Sequence, residues 1–253
     1  MESIVNVRGI NIGEGIPKIC VPIMGKNDEE LLEELKSLEK AQVQIVEWRV
    51  DFYNEIHNKD ALYITVSKLR KVIGNLPVLA TFRTKKEGGN KEISAEEYVE
   101  LNKWLIDSED IDLIDVEAYT GDDRVRELIK YAHDNDVKVV LSNHDFSKTP
   151  EKKEIIKRLC KMQELDGDIC KIALMPNNPK DVLVLLDATY EMITTYANRP
   201  IVTISMSAMG GISRMIGGVF GSAITFGAMG RVSAPGQFTV EELNQGLRMF
   251  NRS

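Results

Sequence analysis

The chain has 253 residues, 43% hydrophobic and 28% charged, enough apolar material to bury a large core and too much for a disordered chain. Its net charge of −7 excludes a general nucleic-acid or polyanion binder, which needs a basic surface, but leaves room for a small anion held by a few local arginines. Three cysteines without paired spacing (Cys20, Cys160 and Cys170) point to a reduced, cytoplasmic protein; neither a signal peptide nor an apolar run of about 20 residues is present, so no membrane association is expected.

Along the chain, short β-branched runs alternate with segments of helical period. Val5 to Ile12, with Asn11 and Gly13 nearby, reads as a small hairpin. The first long strand is Ile19 to Ile23, and its helix starts at Asp28 with Leu31, Leu32, Leu35 and Leu38 on one face. The second strand is Gln44 to Val50, and its helix presents Ile64, Leu69, Val72 and Ile73. The third is Pro77 to Arg83, and Ser94 with Glu97 supplies the reciprocal cap of the helix that runs through Leu101 and Leu105. The fourth is Ile111 to Val116, and its helix carries Val125, Leu128 and Ile129. The fifth is Val137 to Ser142, and Thr149-Pro150 reads as the cap and first turn of the next helix. The sixth is Ile169 to Leu174, followed by a helix opening at Asn178-Pro179. The seventh is Ile201 to Ser205, then a short helix near Ile212 to Ile216. The eighth is Ala223 to Phe226, and Thr239 with Glu242 caps the last helix.

Eight strand–helix units in about 235 residues match an α/β fold of the (β/α)8 TIM-barrel type, and Val/Ile/Leu-rich strands suit a parallel sheet covered on both faces. No linker or repeat splits residues 1–253, so a single barrel domain is expected, with the N-terminal β-hairpin closing the bottom of the barrel. An open doubly wound sheet gives the same alternation. It would be favoured by a phosphate-binding fingerprint after the first strand, and Met24-Gly25-Lys26 is not one.

Period two along a strand sends alternate residues to opposite faces. Glu47 and Arg49 then share a face with Ile45, Thr81 and Arg83 with Leu79, and Lys171 with Ile169 and Ala173; His144 ends the fifth strand. If that set points inward, it gathers at the C-terminal rim, where barrel enzymes place their sites. Lys171 is the most informative member. Burial and nearby cations favour a neutral amine, and a neutral amine attacks carbonyls to form an imine. The plain alternative is a lysine that snorkels to solvent, and for Glu47, Arg49 and Arg83 a structural ion-pair network. His144, in Ser142-Asn143-His144-Asp145-Phe146, is placed to move protons at neutral pH or is a structural histidine. His57 and His133 lie in polar segments and read as solvent-facing. No cluster has metal-ligand spacing, so no metal is expected.

Three loops complete the rim. Lys85 to Asn90 holds the Gly88-Gly89 pair, suited to a tight turn. Gly210-Gly211-Ile212-Ser213-Arg214 could hold an anion through backbone N–H groups and the Arg214 guanidinium. Ser233 to Gln237, after the eighth strand, could close over a ligand. Each is also compatible with ordinary turn chemistry.

Together these segments resemble the type I 3-dehydroquinate dehydratases, lysine-dependent enzymes of the shikimate pathway. The resemblance rests on Glu47-Trp48-Arg49-Val50-Asp51, Thr81-Phe82-Arg83 with Glu87-Gly88-Gly89, Ser142 to Phe146, Lys171-Ile172-Ala173, Ile212-Ser213-Arg214 and Ser233 to Gln237, in the family's order along nearly the whole chain. It implies a (β/α)8 fold, commonly a homodimer, with no metal or organic cofactor. It further implies Lys171 as the imine-forming residue, His144 as the proton shuttle and Glu87 as the carboxylate paired with it. Glu47, Arg49, Arg83, Arg214, Ser233 and Gln237 match its substrate-binding positions. Pro22, Cys170 and Ile204 depart from the pattern, where serine, proline and methionine are common, and are expected to alter packing or affinity rather than chemistry.

The implied reaction is loss of water from 3-dehydroquinate, a small ring bearing hydroxyls, a ketone and a carboxylate. A protonated imine on Lys171 would act as the electron sink for removal of the adjacent proton. Arg214 is expected to bind the carboxylate. A class I aldolase acting on a sugar phosphate shares the fold and the imine, and turnover of the two substrates separates them. A non-catalytic sensor on the same scaffold would bind ligand without a reducible lysine adduct.

Overall fold

The structure, a computed structural model, describes residues 4–38, 41–229 and 236–250. At the N-terminus Val5–Val7 (β1) and Ile10–Ile12 (β2) pair antiparallel. Arg8 and Gly9 both take positive φ (48° and 81°), the signature of the two-residue turn whose twist matches a hairpin.

Among the described residues eight parallel strands then form one sheet: β3 (Lys18–Ile23), β4 (Ile45–Arg49), β5 (Val78–Thr81), β6 (Leu113–Glu117), β7 (Lys138–Asp145), β8 (Ile169–Leu174), β9 (Ile201–Ser205) and β10 (Ile224–Phe226). β10 pairs with β3, and the sheet runs in chain order round to β9. It closes where Ala223 N–H donates to the Ile201 carbonyl (2.8 Å). The helices are α1 (Asp28–Leu38), α2 (Lys59–Ile73), α3 (Ala95–Asp107), α4 (Asp122–Asp134), α5 (Lys152–Glu164), α6 (Pro179–Glu191), α7 (Ile212–Ile216) and α8 (Val240–Phe250). This is the expected (β/α)8 barrel.

The core has two compartments, and strand alternation decides which residue enters which. Outward residues such as Val21, Val46, Trp48, Ala80, Ile114, Leu141 and Cys170 pack against the helices. Inward residues Cys20, Ile45, Leu79, Leu113, Val140, Ile169, Val202 and Ile224 fill the interior, and Val7 and Ile12 of the hairpin pack onto them. Each such side chain contributes about 1.5–3 kcal/mol on burial. The hairpin thus closes the end where the strands begin, and the opposite end is left for polar residues.

Several local expectations need correction. Ile64 and Val72 of α2 are 56% and 47% exposed; the buried stripe is Leu62, Thr65, Val66 and Leu69, an i, i+3, i+4, i+7 set. Leu69 and Ile73 do face the core, but the segment holds more apolar residues than one stripe can use, and periodicity alone did not separate Ile64 and Val72 from it. Thr149-Pro150 does not start α5, whose N-cap is Glu151. The Thr149 hydroxyl instead donates to the Met175 carbonyl (3.0 Å), tying the two loops together. β7 runs on to Asp145, three residues past the expected end. His57 is exposed, but His133 is half-buried, with Nε2 2.7 Å from Asp168. The caps at Ser94–Glu97, Asn178–Pro179 and Thr239–Glu242 are as expected.

Candidate active site

The inward polar residues meet at the C-terminal end of the barrel in a cleft of about 530 Å³. Glu47, Arg49, Thr81, Arg83, Glu87, His144, Lys171, Arg214 and Gln237 all line it, with Ile204, Met206 and Phe226 on its apolar side. Ser233 lies outside the described residues, as does most of the segment expected to cover a ligand.

Lys171 sits deep in the cleft, buried in the middle of β8. It does not snorkel. Its Nζ lies 3.4 Å from Asp115 Oδ2, 4.0 Å from Glu47 Oε1 and 4.3 Å from the centre of the Phe226 ring. Two carboxylates and a π face therefore surround an amine that has left water, and together they fix where it points. Glu47 is held in turn by the Thr81 hydroxyl, which donates to it at 2.9 Å.

In β7–β8 register Ser142 stands beside Lys171 and His144 beside Ala173. His144 is therefore one inward step nearer the mouth than the amine. Its Nδ1 lies 2.9 Å from Glu87 Oε2, which also accepts the His144 backbone N–H at 2.9 Å. Burial, reinforced by the cations Arg83, Lys171 and Arg49, holds the imidazole well below its usual range, so it is neutral at pH 7. Glu87 is raised to about 7, mainly by burial and against the pull of Arg83. When Glu87 is ionised it accepts from Nδ1–H, and Nε2 is left as the basic nitrogen.

Glycine geometry delivers Glu87. The turn Lys85–Glu87 ends at Gly88 with φ 82°, and a Cβ there would meet the Phe146 ring at 2.3 Å. A Cβ on Gly89 would lie 1.8 Å from the Arg83 carbonyl. The pair lets the chain fold back tightly enough for Glu87 to reach under His144.

The arginines divide by environment. Arg49 makes a two-pronged contact with the fully buried Asp51, Nε–Oδ1 and Nη2–Oδ2 both 2.8 Å. Arg83 is the hub of the floor. Its Nη2 is 2.7 Å from Asp115 Oδ1, and its Nη1 is 3.0 Å from both Glu117 Oε1 and Ser142 Oγ. Burial works against its charge, but Asp115, Glu117 and Glu87 outweigh it and push its pKa up. Arg214 differs. Its Nη1 donates to the Phe226 carbonyl at 3.4 Å, and burial lowers its pKa to about 10, so it still carries its charge at neutral pH. A buried guanidinium in a cleft is suited to a carboxylate.

In the glycine-rich turn before Arg214 most of the backbone donors are used within the turn itself, so the guanidinium is the group left to meet an anion. The N–H groups of Gly211, Ser213 and Arg214 already donate to the carbonyls of Ala208, Gly210 and Gly211. Gly210 is there for contact, since a Cβ would lie 2.4 Å from the Ser205 carbonyl. Of the unusual residues, Cys170 faces the helices, away from the cleft, whereas Ile204 lines it.

Sequence reading missed Asp115 and Glu117 and gave Asp51 no role of its own; all three are buried and all are partners of the site arginines. The signal was available. Leu113, Asp115 and Glu117 alternate along β6 as the polar members of β4 and β5 do. Among the described residues no group of three His, Cys, Asp or Glu gathers as a metal site.

The model of the type I 3-dehydroquinase family matches residues 19–253. A 3-dehydroquinate dehydratase of Clostridioides difficile (strain 630) is 52% identical over 253 residues, covering 100% of this chain and 99% of that protein. One from Bacillus subtilis (strain 168) is 49% identical over 251 residues, covering 99% and 98%. The crystal structure of type I 3-dehydroquinate dehydratase from Clostridium difficile with covalent modified comenic acid superposes with a TM-score of 0.97 over 99% of each chain, at 52% identity. The match decides between dehydratase and aldolase. The chain belongs to the type I 3-dehydroquinase family, the hydro-lyases of the shikimate pathway that convert 3-dehydroquinate to 3-dehydroshikimate through a lysine Schiff base.

Proposed function

We propose that Lys171 is the lysine of that Schiff base and that His144, held by Glu87, moves the protons. The observation that carries the reading is the arrangement of a buried amine at the floor with a neutral imidazole one inward residue above it on the neighbouring strand. Lys171 Nζ passes a proton to the neutral His144 and attacks the ring ketone, and His144 returns that proton to the departing hydroxyl, which leaves as water to give the iminium. His144 Nε2 then takes a proton from the carbon next to the iminium carbon. The electron pair moves into the enamine and returns to expel the neighbouring hydroxyl, which receives that proton from His144 and leaves as water. Water then hydrolyses the conjugated iminium, releasing product and the free amine. Positioned acid–base catalysis of this kind contributes about 10²–10⁴-fold.

Arg214 binds the substrate carboxylate in this reading, and Glu47, Arg49, Arg83, Ser233 and Gln237 hold ring hydroxyls directly or through their neighbours. Asp51, Asp115 and Glu117 keep the arginines and Lys171 in place. The enzyme works as a homodimer. Supporting this, Leu183 and Tyr190 of α6, Val219 in the adjoining turn and Ile212 of α7 are apolar and exposed. Sedimentation at micromolar concentration tests it, and a monomer there rejects it. A cytoplasmic location fits three free cysteines and, among the described residues, no helix long and apolar enough to cross a membrane.

The roles are tested with His144→Gln. The variant should still give a borohydride-trapped adduct with 3-dehydroquinate while kcat falls about 10²–10⁴-fold. Turnover close to wild type would remove His144 from the chemistry.

A further inference from the structure

We propose that Arg158, on the outer helix α5, is a positioning residue for the proton shuttle: by orienting the Asn143 amide it keeps Glu87 an acceptor and His144 in the tautomer with a basic Nε2. The proposal rests on the reading of His144 and Glu87 given above.

The connection is continuous. Arg158 Nη1 donates to Asn143 Oδ1 at 3.1 Å, and Asn143 Nδ2 donates to Glu87 Oε1 at 3.2 Å. The other Glu87 oxygen meets His144 Nδ1 and backbone N–H, both at 2.9 Å. A guanidinium has only donors, so the Asn143 atom facing it must be the carbonyl oxygen. That leaves the NH2 group, also donor-only, against Glu87. Glu87 is then required to accept at both oxygens, which is what its ionised form does. With the amide reversed, a carbonyl oxygen would face Glu87 Oε1, and the contact would be satisfied only by a protonated carboxyl. A Glu87 protonated at Oε1 still accepts from Nδ1–H at Oε2, but without its charge it holds that tautomer less firmly and Nε2 is a weaker base. Arg158 is itself held in place, with Nε 3.0 Å from Glu154 Oε1 and Nη1 3.6 Å from Asp145 Oδ2.

Glu87 is faced by Arg83 from its own segment, by Asp115, Glu117 and, beyond the strand end, Tyr119 from the β6 side, and by Asn143 and His144 from β7. His144 is faced by Arg83, Lys171 and Arg49. Its carboxyl at about 7 places Glu87 within reach of a small change, and the Asn143 N–H is among the groups that keep it from rising further.

The test is the pH profile of kcat for Arg158→Met, Arg158→Lys and Asn143→Asp, from about pH 5.5 to about pH 9. For Arg158→Met the acid limb should move to higher pH, so that kcat at about pH 6 falls about three- to tenfold while kcat at about pH 8 and KM change little. Arg158→Lys, which retains a donor, should restore the profile. Asn143→Asp, which keeps the shape and puts an acceptor against Glu87, should shift the limb in the same direction and further. A wild-type profile in Arg158→Met, or a uniform loss at every pH, overturns the proposal. If Arg158→Met does not fold, an unshifted limb in Asn143→Asp overturns it instead. An active His144→Gln would defeat the underlying reading whatever Arg158 does; an inactive His144→Gln beside an unshifted Arg158→Met defeats the Arg158 proposal alone.

Discussion

Asp115→Asn removes one negative charge from the floor of the cleft while keeping the size of the side chain. Asp115 is fully buried, 2.7 Å from Arg83 Nη2 and 3.4 Å from Lys171 Nζ. At an effective dielectric of about 20, unit charges at the Lys171 distance attract by about 5 kcal/mol. Desolvation of the carboxylate offsets a large part of that, and asparagine still accepts from Ser142, which now donates to Asp115 at 2.6 Å. The net loss of stability should be about 2–4 kcal/mol, well above the 0–1 kcal/mol or so typical of an exposed pair. Urea unfolding of wild type, Asp115→Asn, Lys171→Met and the double variant would give the coupling between the two residues, expected at about 1–3 kcal/mol. The arginine contact remains in both backgrounds and cancels in the cycle. The pH dependence has a definite sign. Arg83 and Lys171 outweigh burial and hold the Asp115 carboxyl below 3.8, so its stabilisation is present above that value and is lost as pH falls through the folded pKa. A loss under about 1 kcal/mol at pH 7, or the same loss with and without Lys171, would refute the claim that this carboxylate fixes the amine.

Arg214→Ala should raise KM for 3-dehydroquinate about 10- to 100-fold, the worth of a charge-assisted contact, with a smaller effect on kcat; an unchanged KM removes Arg214 from the carboxylate site. Glu87→Gln should change the pH dependence of stability. Burial lifts the Glu87 carboxyl from 4.5 to about 7, so the folded state holds this proton more tightly than the unfolded chain. That contribution is complete below about 4.5 and is lost as pH rises through about 7, so the variant should gain on wild type by about 1–3 kcal/mol between pH 5 and pH 8. A difference that stays constant over that range counts against the raised carboxyl. Gly89→Ala should lower kcat by at least about tenfold, because its Cβ would stand 1.8 Å from the Arg83 carbonyl and the turn that carries Glu87 must move; wild-type kcat in that variant would show that the turn tolerates the shift.

The barrel was legible because it is written in two periods. The strands Ile169–Leu174 and Ile201–Ser205 have the ends the apolar runs predict, and inward Glu47, Arg83 and Lys171 follow from alternation alone. What was lost depends on distance in sequence. Arg83 reaches Asp115, Glu117 and Ser142 across strands β6 and β7, and no spacing rule encodes those contacts. The same holds for Arg158, which looks like one more basic residue on an amphipathic helix until Asn143 is placed beside it. Gly210 and Gly211 carry a packing role that no motif displays: they allow close contact of the turn with the end of β9 and with Phe238. Apolar excess defeated the α2 stripe, because Ile64 and Val72 sit at intervals that fit a helix face without facing the core.

Lys171 as the nucleophile is tested most directly by reduction with borohydride during turnover of 3-dehydroquinate, followed by mass mapping of the peptides. One adduct is expected, on the peptide carrying Lys171, and neither adduct nor turnover in Lys171→Met. An adduct on another lysine, or turnover by Lys171→Met, would contradict that role.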